Sequence, residues 1–273
     1  MKIDFFGIMN MQLQLATWIE VEDYLKNSSG IIIPVGSTEQ HGPTGFIGTD
    51  ALCPELIAFE IGTRLGVMIA PTLSIGMAQH HLGFPGSITL RPSTMISVVC
   101  DVINSLTRHG FDRFFFLNGH GGNIIASQVS AQDITLELGV PVIAATYWLE
   151  AASQFRDILE VQDSVLHACE AETSMMMALE PDLVDDSDLA GAKGADGLKF
   201  LQAGEASFRW RSLTHATSNG VIGDPTTATI KKGERLLEAA GDAIAALIAD
   251  PDTFREQNDI RPNAVAGVPF RNV

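Results

Sequence analysis

The sequence predicts an α/β fold, a mostly parallel sheet with helices on both faces. Three observations predict it. Short β-branched or aromatic runs alternate with longer segments of helical apolar spacing. The runs lack polar alternation, as strands buried on both faces do. Two of them lead straight into glycine-rich polar loops, the usual sequence mark of a strand feeding a ligand site in such sheets.

The elements follow in order. Thr17-Trp18-Ile19-Glu20 has capping-box spacing and opens a short helix with Trp18, Val21, Tyr24 and Leu25 as its apolar face. Ile31–Val35 is a buried strand, followed by the loop Gly36–Thr49. Asp50–Leu65 is a helix stopped by Gly66, and Val67–Ala70 is a second strand. Gln79–Leu90 reads as a loop and Pro92–His109 as a helix ended by Gly110. Arg113–Leu117 is the third strand, Ile124–Leu138 a helix ended by Gly139, and Val140–Ala145 the fourth strand. His167–Leu179 is helical up to Pro181. Gly191–Gly223 is irregular, and Lys231–Ile248 is an amphipathic helix. The residues after Pro251 read as an extended arm. A single domain over 1–273, with an arm over 251–273, is the simplest organisation. The arm and the irregular stretch are candidates for a subunit interface or a lid.

Composition narrows the function. The 273 residues are 46% hydrophobic and carry a net charge of −16, which excludes disorder and argues against a nucleic-acid partner. No apolar stretch reaches the roughly 20 residues of a membrane span, and no signal-like core follows Lys2. Cys53, Cys100 and Cys169 are odd in number and widely spaced, which points to reduced thiols and a cytoplasmic setting. The acidic run Asp182–Asp188 reads as a solvated connection.

The chemistry concentrates in three clusters: Gly36–Pro43 with Asp50, Asn118–Asn123, and His167–Ser174. Glu39 and His41, two residues apart in an extended loop, point to one side, and Asp50 can return to the same centre. With His120 and Glu170 the set is two imidazoles and three carboxylates, suited to Zn, Mn or Fe and not to a structural four-cysteine zinc site. Five ligands exceed the needs of one catalytic ion. A carboxylate bridge through Asp50 lets them serve two ions. His80 and His81 read either as surface-loop residues or as substrate contacts at the rim. His109 closes a helix, where a cation is favoured, and His215 is unplaced. Cys169 and Met175–Met177 read as packing residues.

At these residues the chain resembles the creatininase family. The matching text is Pro34–Pro43, Gly48–Asp50, Phe84–Gly86, Asn118–Asn123 and His167–Ser174, with a similar opening at Thr17-Trp18. The resemblance runs from about Ala16 to Leu183. It implies a three-layer α/β/α domain and a metal-dependent amidohydrolase that cleaves a C–N bond of a small cyclic or linear amide through a metal-bridging hydroxide. It also implies a homo-oligomer, hexameric in creatininase itself. By position, Glu39, Asp50 and His120 hold one ion, His41 and Asp50 the other, and His167 is the general acid/base. Creatininase proper has a Glu two residues after the histidine of its Asn-Gly-His motif. Gly122 stands there in this chain. Glu170 is chosen as the replacement ligand, and Glu172, the rival, takes a supporting or proton-transfer role. The tryptophan flap of creatininase before the catalytic histidine is also missing, since Asp163–Leu166 has no Trp, so the substrate need not be creatinine. Formamide deformylation, peptide processing and sugar-ring hydrolysis are alternatives within the family. A non-catalytic metabolite-binding member is disfavoured by the complete ligand set.

Overall fold

The computed structural model describes residues 11–184, 186–197 and 207–255. Among them, four parallel strands form one sheet: β1 (Gly30–Val35), β2 (Met68–Ile69), β3 (Arg113–Asn118) and β4 (Val142–Thr146), in the order β2-β1-β3-β4. The eight α-helices among these residues are α1 (Trp18–Tyr24), α2 (Thr49–Leu65), α3 (Pro92–Thr107), α4 (Ile124–Leu138), α5 (Tyr147–Glu150), α6 (Ala152–Ile158), α7 (Glu170–Leu179) and α8 (Ile230–Ala249).

Strand side chains alternate between two faces, and each face has its own core. Ile32, Phe115, Leu117 and Ala145 pack under α2, α5, α6, α7 and α8 through Ile57, Tyr147, Phe155, Met175 and Leu236. Ile31, Ile33, Val35, Phe114 and Phe116 pack under α1, α3 and α4 through Tyr24, Val99, Ile103 and Ile134. The result is the three-layer α/β/α sandwich expected from the sequence.

Boundaries moved for identifiable reasons. The capping box at Thr17 forms, with Thr17 N donating to Glu20 Oε2 (2.6 Å) and Glu20 N to Thr17 Oγ1 (3.3 Å). Trp18, however, is 74% exposed and lies off the buried face. Helix α4 spans the expected residues and ends on Gly139 in the left-handed region (φ 68°), where a Cβ would be strained. Residues 147–158, to which no element was assigned from the sequence, form α5 and α6. Helix α7 begins at Glu170 rather than His167. His167 is instead bridged to Ile222 in short antiparallel pairing (His167 N to Ile222 O 3.0 Å, Ile222 N to His167 O 2.9 Å). Ala168, with φ 52°, then turns the chain. Most of the C-terminal arm and part of the 191–223 stretch lie outside the described residues. The described 207–223 segment runs against the His167 loop.

Candidate metal centre

Strand order reverses direction between β1 and β3, which opens a crevice at their carboxyl ends. Val35 and Asn118, the last residues of these strands, are paired, so the loops that follow start side by side. Asn118 shapes the second loop: its Oδ1 accepts from His120 N (3.1 Å) and its Nδ2 donates to His120 O (2.8 Å). Asn123 ties both loops to a third, donating to Gly36 O (2.9 Å) and accepting from Met77 N (2.9 Å).

Asp50, in the first turn of α2, sits at the centre. Its Oδ1 is 3.0 Å from His41 Nε2 and its Oδ2 is 2.7 Å from His120 Nδ1. Each imidazole commits its other nitrogen to a backbone carbonyl: His41 Nδ1 donates to Glu39 O (3.1 Å), and His120 Nε2 donates to Met77 O (3.1 Å). This outer hydrogen bond is what orients a metal-ligating histidine. One nitrogen of each ring is therefore left beside a different oxygen of Asp50. Glu39, fully buried in the β1–α2 loop, places Oε2 3.2 Å from His120 Nε2 and takes a hydrogen bond there from Ser37 Oγ (2.7 Å). Its Oε1 accepts no hydrogen bond. Glu172 completes the other side, with Oε2 3.9 Å from His41 Nε2 and a hydrogen bond from Ala168 N (2.5 Å).

Among the described residues, candidate ligand atoms gather into three groups: Glu39, Asp50 and His120; His41, Asp50 and Glu172; and Glu39, His41 and His167. Of the seven residues expected at the site, six are together. Glu170 is not, and the expectation that placed it at the metal is corrected. Its carboxylate accepts from Lys232 Nζ (2.6 Å), Glu160 N (3.1 Å) and Val161 N (3.1 Å) on the far side of α7. Helical geometry is the cause. Two residues at ~3.6 per turn are about 200° apart, so Glu172 facing the centre turns Glu170 away.

Electrostatics separate the histidines into two kinds. Burial works against charge on His120, but Glu39 and Asp50 outweigh it and raise the ring to about 9. Burial is likewise overcome at His41, which Asp50 and Glu172 hold well above the ordinary value. Burial pushes the Glu39 carboxyl up to about 8, against the pull of His120. For Asp50, burial is outweighed by His41 and His120, which keep it well below the usual carboxylate range. Burial, with neighbouring imidazoles, holds His81 and His167 well below the usual value, and burial, with His120 beside it, lowers His80 to about 3. A centre that draws positive charge onto two buried imidazoles, and leaves one buried carboxylate oxygen without a hydrogen bond, suits a divalent cation.

The sequence reading did not assign Gln40 and left His81 undecided. His81 is 2% exposed, with Nε2 3.0 Å from Glu39 Oε1, so it is no surface residue. His80 stacks on His120 (centroids 5.8 Å apart, 12° between planes). The signal available was their place between the motifs, in Glu39-Gln40-His41 and just before Phe84-Pro-Gly86. His109 and His215 lie outside the centre and are exposed. The three cysteines are free, and Cys169, the N-cap of α7, is fully buried.

Buried carboxylates and imidazoles at the carboxyl edge of a parallel sheet, converging on one shared aspartate, define a metal-dependent hydrolase. The creatininase family model, described as creatinine amidohydrolase, matches residues 14–248, and the chain belongs to the creatininase family. It is 28% identical over 212 residues to the mycofactocin precursor peptide peptidase of Mycolicibacterium smegmatis, covering 76% of this chain and 78% of that protein. It is 27% identical over 260 residues to the 3-dehydro-scyllo-inosose hydrolase of Thermotoga maritima (87% and 82% covered). Against the creatinine amidohydrolase of Pseudomonas putida it is 28% identical over 270 residues (88% and 95%). Among solved structures, creatininase in a Mn form aligns with TM-score 0.74 at 25% identity, over 91% of this chain and 100% of that one. A creatinine amidohydrolase-like structure from Bacteroides fragilis gives TM-score 0.74 at 28% identity, over 92% and 98%. No helix among the described residues is long and apolar enough to cross a membrane.

Proposed function

We propose that this hydrolase holds two divalent ions, one by Glu39, Asp50 and His120 and one by His41, Asp50 and Glu172, and cleaves the C–N bond of a small cyclic or linear amide. The observation that carries this reading is the sharing of Asp50 between two buried ligand groups, with each of its oxygens facing a different imidazole. Glu172 takes the ligand place expected for Glu170, because of the two only Glu172 reaches the centre. Two ions at such a site supply an activated water and a Lewis acid for the carbonyl oxygen.

The chain's own residues supply the rest. Glu39 and Asp50 fix the anionic frame. His167 directs Nδ1 toward the centre, 3.7 Å from Glu39 Oε1, while Nε2 is held by Gln40 O at 2.8 Å. A neutral imidazole in that position accepts a proton from the attacking water and returns it to the departing nitrogen. Relatives of similar identity are named for a precursor peptide, 3-dehydro-scyllo-inosose and creatinine, so no one substrate name transfers. The peptidase similarity supports a second reading, a linear peptidic amide.

Elemental analysis of protein purified without chelator tests the centre. Close to two divalent ions per chain are expected in the wild type. Glu172→Gln is expected to fall to about one ion and to lose at least ~10²-fold in kcat, whereas Glu170→Gln keeps both ions. Loss of metal from Glu170→Gln and not from Glu172→Gln overturns the ligand assignment. A metal-free wild type, inert on creatinine, formamides and short peptides after Mn, Zn or Fe is added, overturns the hydrolase reading.

A further inference from the structure

Gln40 sits between the metal centre and two histidines, His81 and His167, and the hydrogen bonds around it determine where the protons lie. Its Oε1 accepts from Gly42 N (2.9 Å). A backbone N–H can only donate, so the amide orientation is fixed and the NH2 group faces the other way. That nitrogen lies 3.0 Å from Gly220 O, 3.1 Å from His81 Nδ1 and 2.9 Å from His167 Nε2. It has two protons for three neighbours. Gly220 O can only accept and takes one. His167 Nε2 also stands 2.8 Å from Gln40 O. A carbonyl oxygen cannot donate, so His167 Nε2 carries its own proton and cannot receive another. The second amide proton therefore goes to His81 Nδ1. In the neutral ring this leaves the His81 proton on Nε2, and it leaves the His167 lone pair on Nδ1.

We infer that Gln40 is a positioning residue that locks His81 and His167 in the same Nε2–H tautomer but in opposite ring orientations, so that His81 presents an N–H donor and His167 a lone pair to the same point beside the metal centre. The two rings are in edge contact, with centroids 4.4 Å apart. The other nitrogen of each ring approaches Glu39 Oε1, His81 Nε2 at 3.0 Å and His167 Nδ1 at 3.7 Å. That oxygen nonetheless accepts no hydrogen bond, so the His81 N–H is not consumed by Glu39. A donor and an acceptor side by side match the two ends of an amide group. His81 Nε2–H donates to the carbonyl oxygen as negative charge develops on it, and His167 Nδ1 handles the proton bound for the leaving nitrogen. No bond to His81 forms or breaks. This catalytic consequence rests on the hydrolase reading above, but the tautomers do not.

The test is long-range ¹H–¹⁵N correlation on zinc-loaded, full-length protein with ¹⁵N-labelled histidine, the signals assigned with His81→Asn and His167→Asn. The expected spectrum shows His81 protonated at Nε2 only and His167 protonated at Nε2 only. In Gln40→Glu the amide donor is gone, so His81 shifts to the Nδ1–H form or to imidazolium. His167, held by the backbone carbonyl of residue 40, stays as it was. A wild-type His81 protonated at Nδ1, or a His81 signal unchanged in Gln40→Glu, overturns the inference. If Gln40→Glu does not fold, the wild-type spectrum decides alone. Metal content and amide turnover are read on the same samples. The stated tautomers without metal or turnover refute the hydrolase reading and leave the tautomer lock standing. With turnover present, Gln40→Glu is expected to lose about 10- to 100-fold in kcat with KM changed less than threefold, as for a misplaced acid–base group.

Discussion

At the scale of single residues, Glu170 and Glu172 show how two carboxylates on one helix turn come to different uses. Glu172 faces the metal centre. Glu170 is buried against Lys232, whose ammonium, 10% exposed, also donates to Thr227 O (2.6 Å) and pairs with Glu160 (3.0 Å). Burial works against the charge of Lys232, but these carboxylates outweigh it and raise the ammonium above its ordinary value of 10.5. A raised lysine stabilises the fold fully below its unfolded value, and that contribution is lost as pH climbs through the folded one. Lys232→Met, which leaves Glu170 buried and unpaired, is therefore expected to cost about 2–4 kcal/mol at pH 8. The gap to wild type closes above about pH 10.5, where the native lysine also loses its proton. Denaturant melts of both proteins from pH 8 to 11.5 check this, and a gap independent of pH refutes it. The sequence could not separate the two glutamates without the start of α7. That start depends on the pairing of His167 with Ile222 and on the left-handed Ala168, neither of which has a local sequence mark.

At the scale of elements, the loops after β1 and β3 were readable in advance. A buried strand followed by Glu39-x-His41, with Asp50 at the next helix, has few uses other than a ligand site, and the glycines around His120 say the same. The contribution of the 207–223 segment was not readable. Gly220 has φ 86°, and a Cβ there would meet the Gln40 amide. Its carbonyl also takes one of the two Gln40 protons. The partners of Gln40 lie at residues 81, 167 and 220, and an amide lacks the charge that drew notice to its neighbours. Gly220→Ala is expected to cost about 1–3 kcal/mol through backbone strain and to lower kcat by displacing Gln40. A chemical melt with steady-state kinetics measures both, and a fully active, equally stable variant removes the segment from the site. Helices α5 and α6 escaped the sequence reading because short helices held by burial of Tyr147 and Phe155 show too little periodicity to register.

At the scale of the whole molecule, the sandwich isolates the centre from bulk solvent. Glu39, Asp50 and Glu172 are at most 5% exposed. Three buried carboxylates carry a desolvation cost that bound cations offset, so stability is linked to metal. A ligand at a thousand times its Kd adds ~4 kcal/mol to the folded state. In a chain of this size, chelation is expected to lower Tm by on the order of 10 °C, with recovery on readdition of Mn or Zn. Scanning calorimetry checks it, and a Tm indifferent to chelator contradicts a metal-dependent centre. Fold class and the β1 and β3 ligands could be read ahead because they are local in sequence. The remaining contributions, from Gln40 and His81 as well as from residues 160 to 232, depend on long-range packing.

That separation along the chain has a consequence for biogenesis. Glu39, His41 and Asp50 leave the ribosome together, whereas His167, Glu172 and Gly220 follow more than a hundred residues later. At ~5–20 residues per second the wait is on the order of ten seconds. Throughout it the nascent chain presents only part of the residues that gather here, and the second of the two proposed ligand groups stays incomplete until Glu172 has been made.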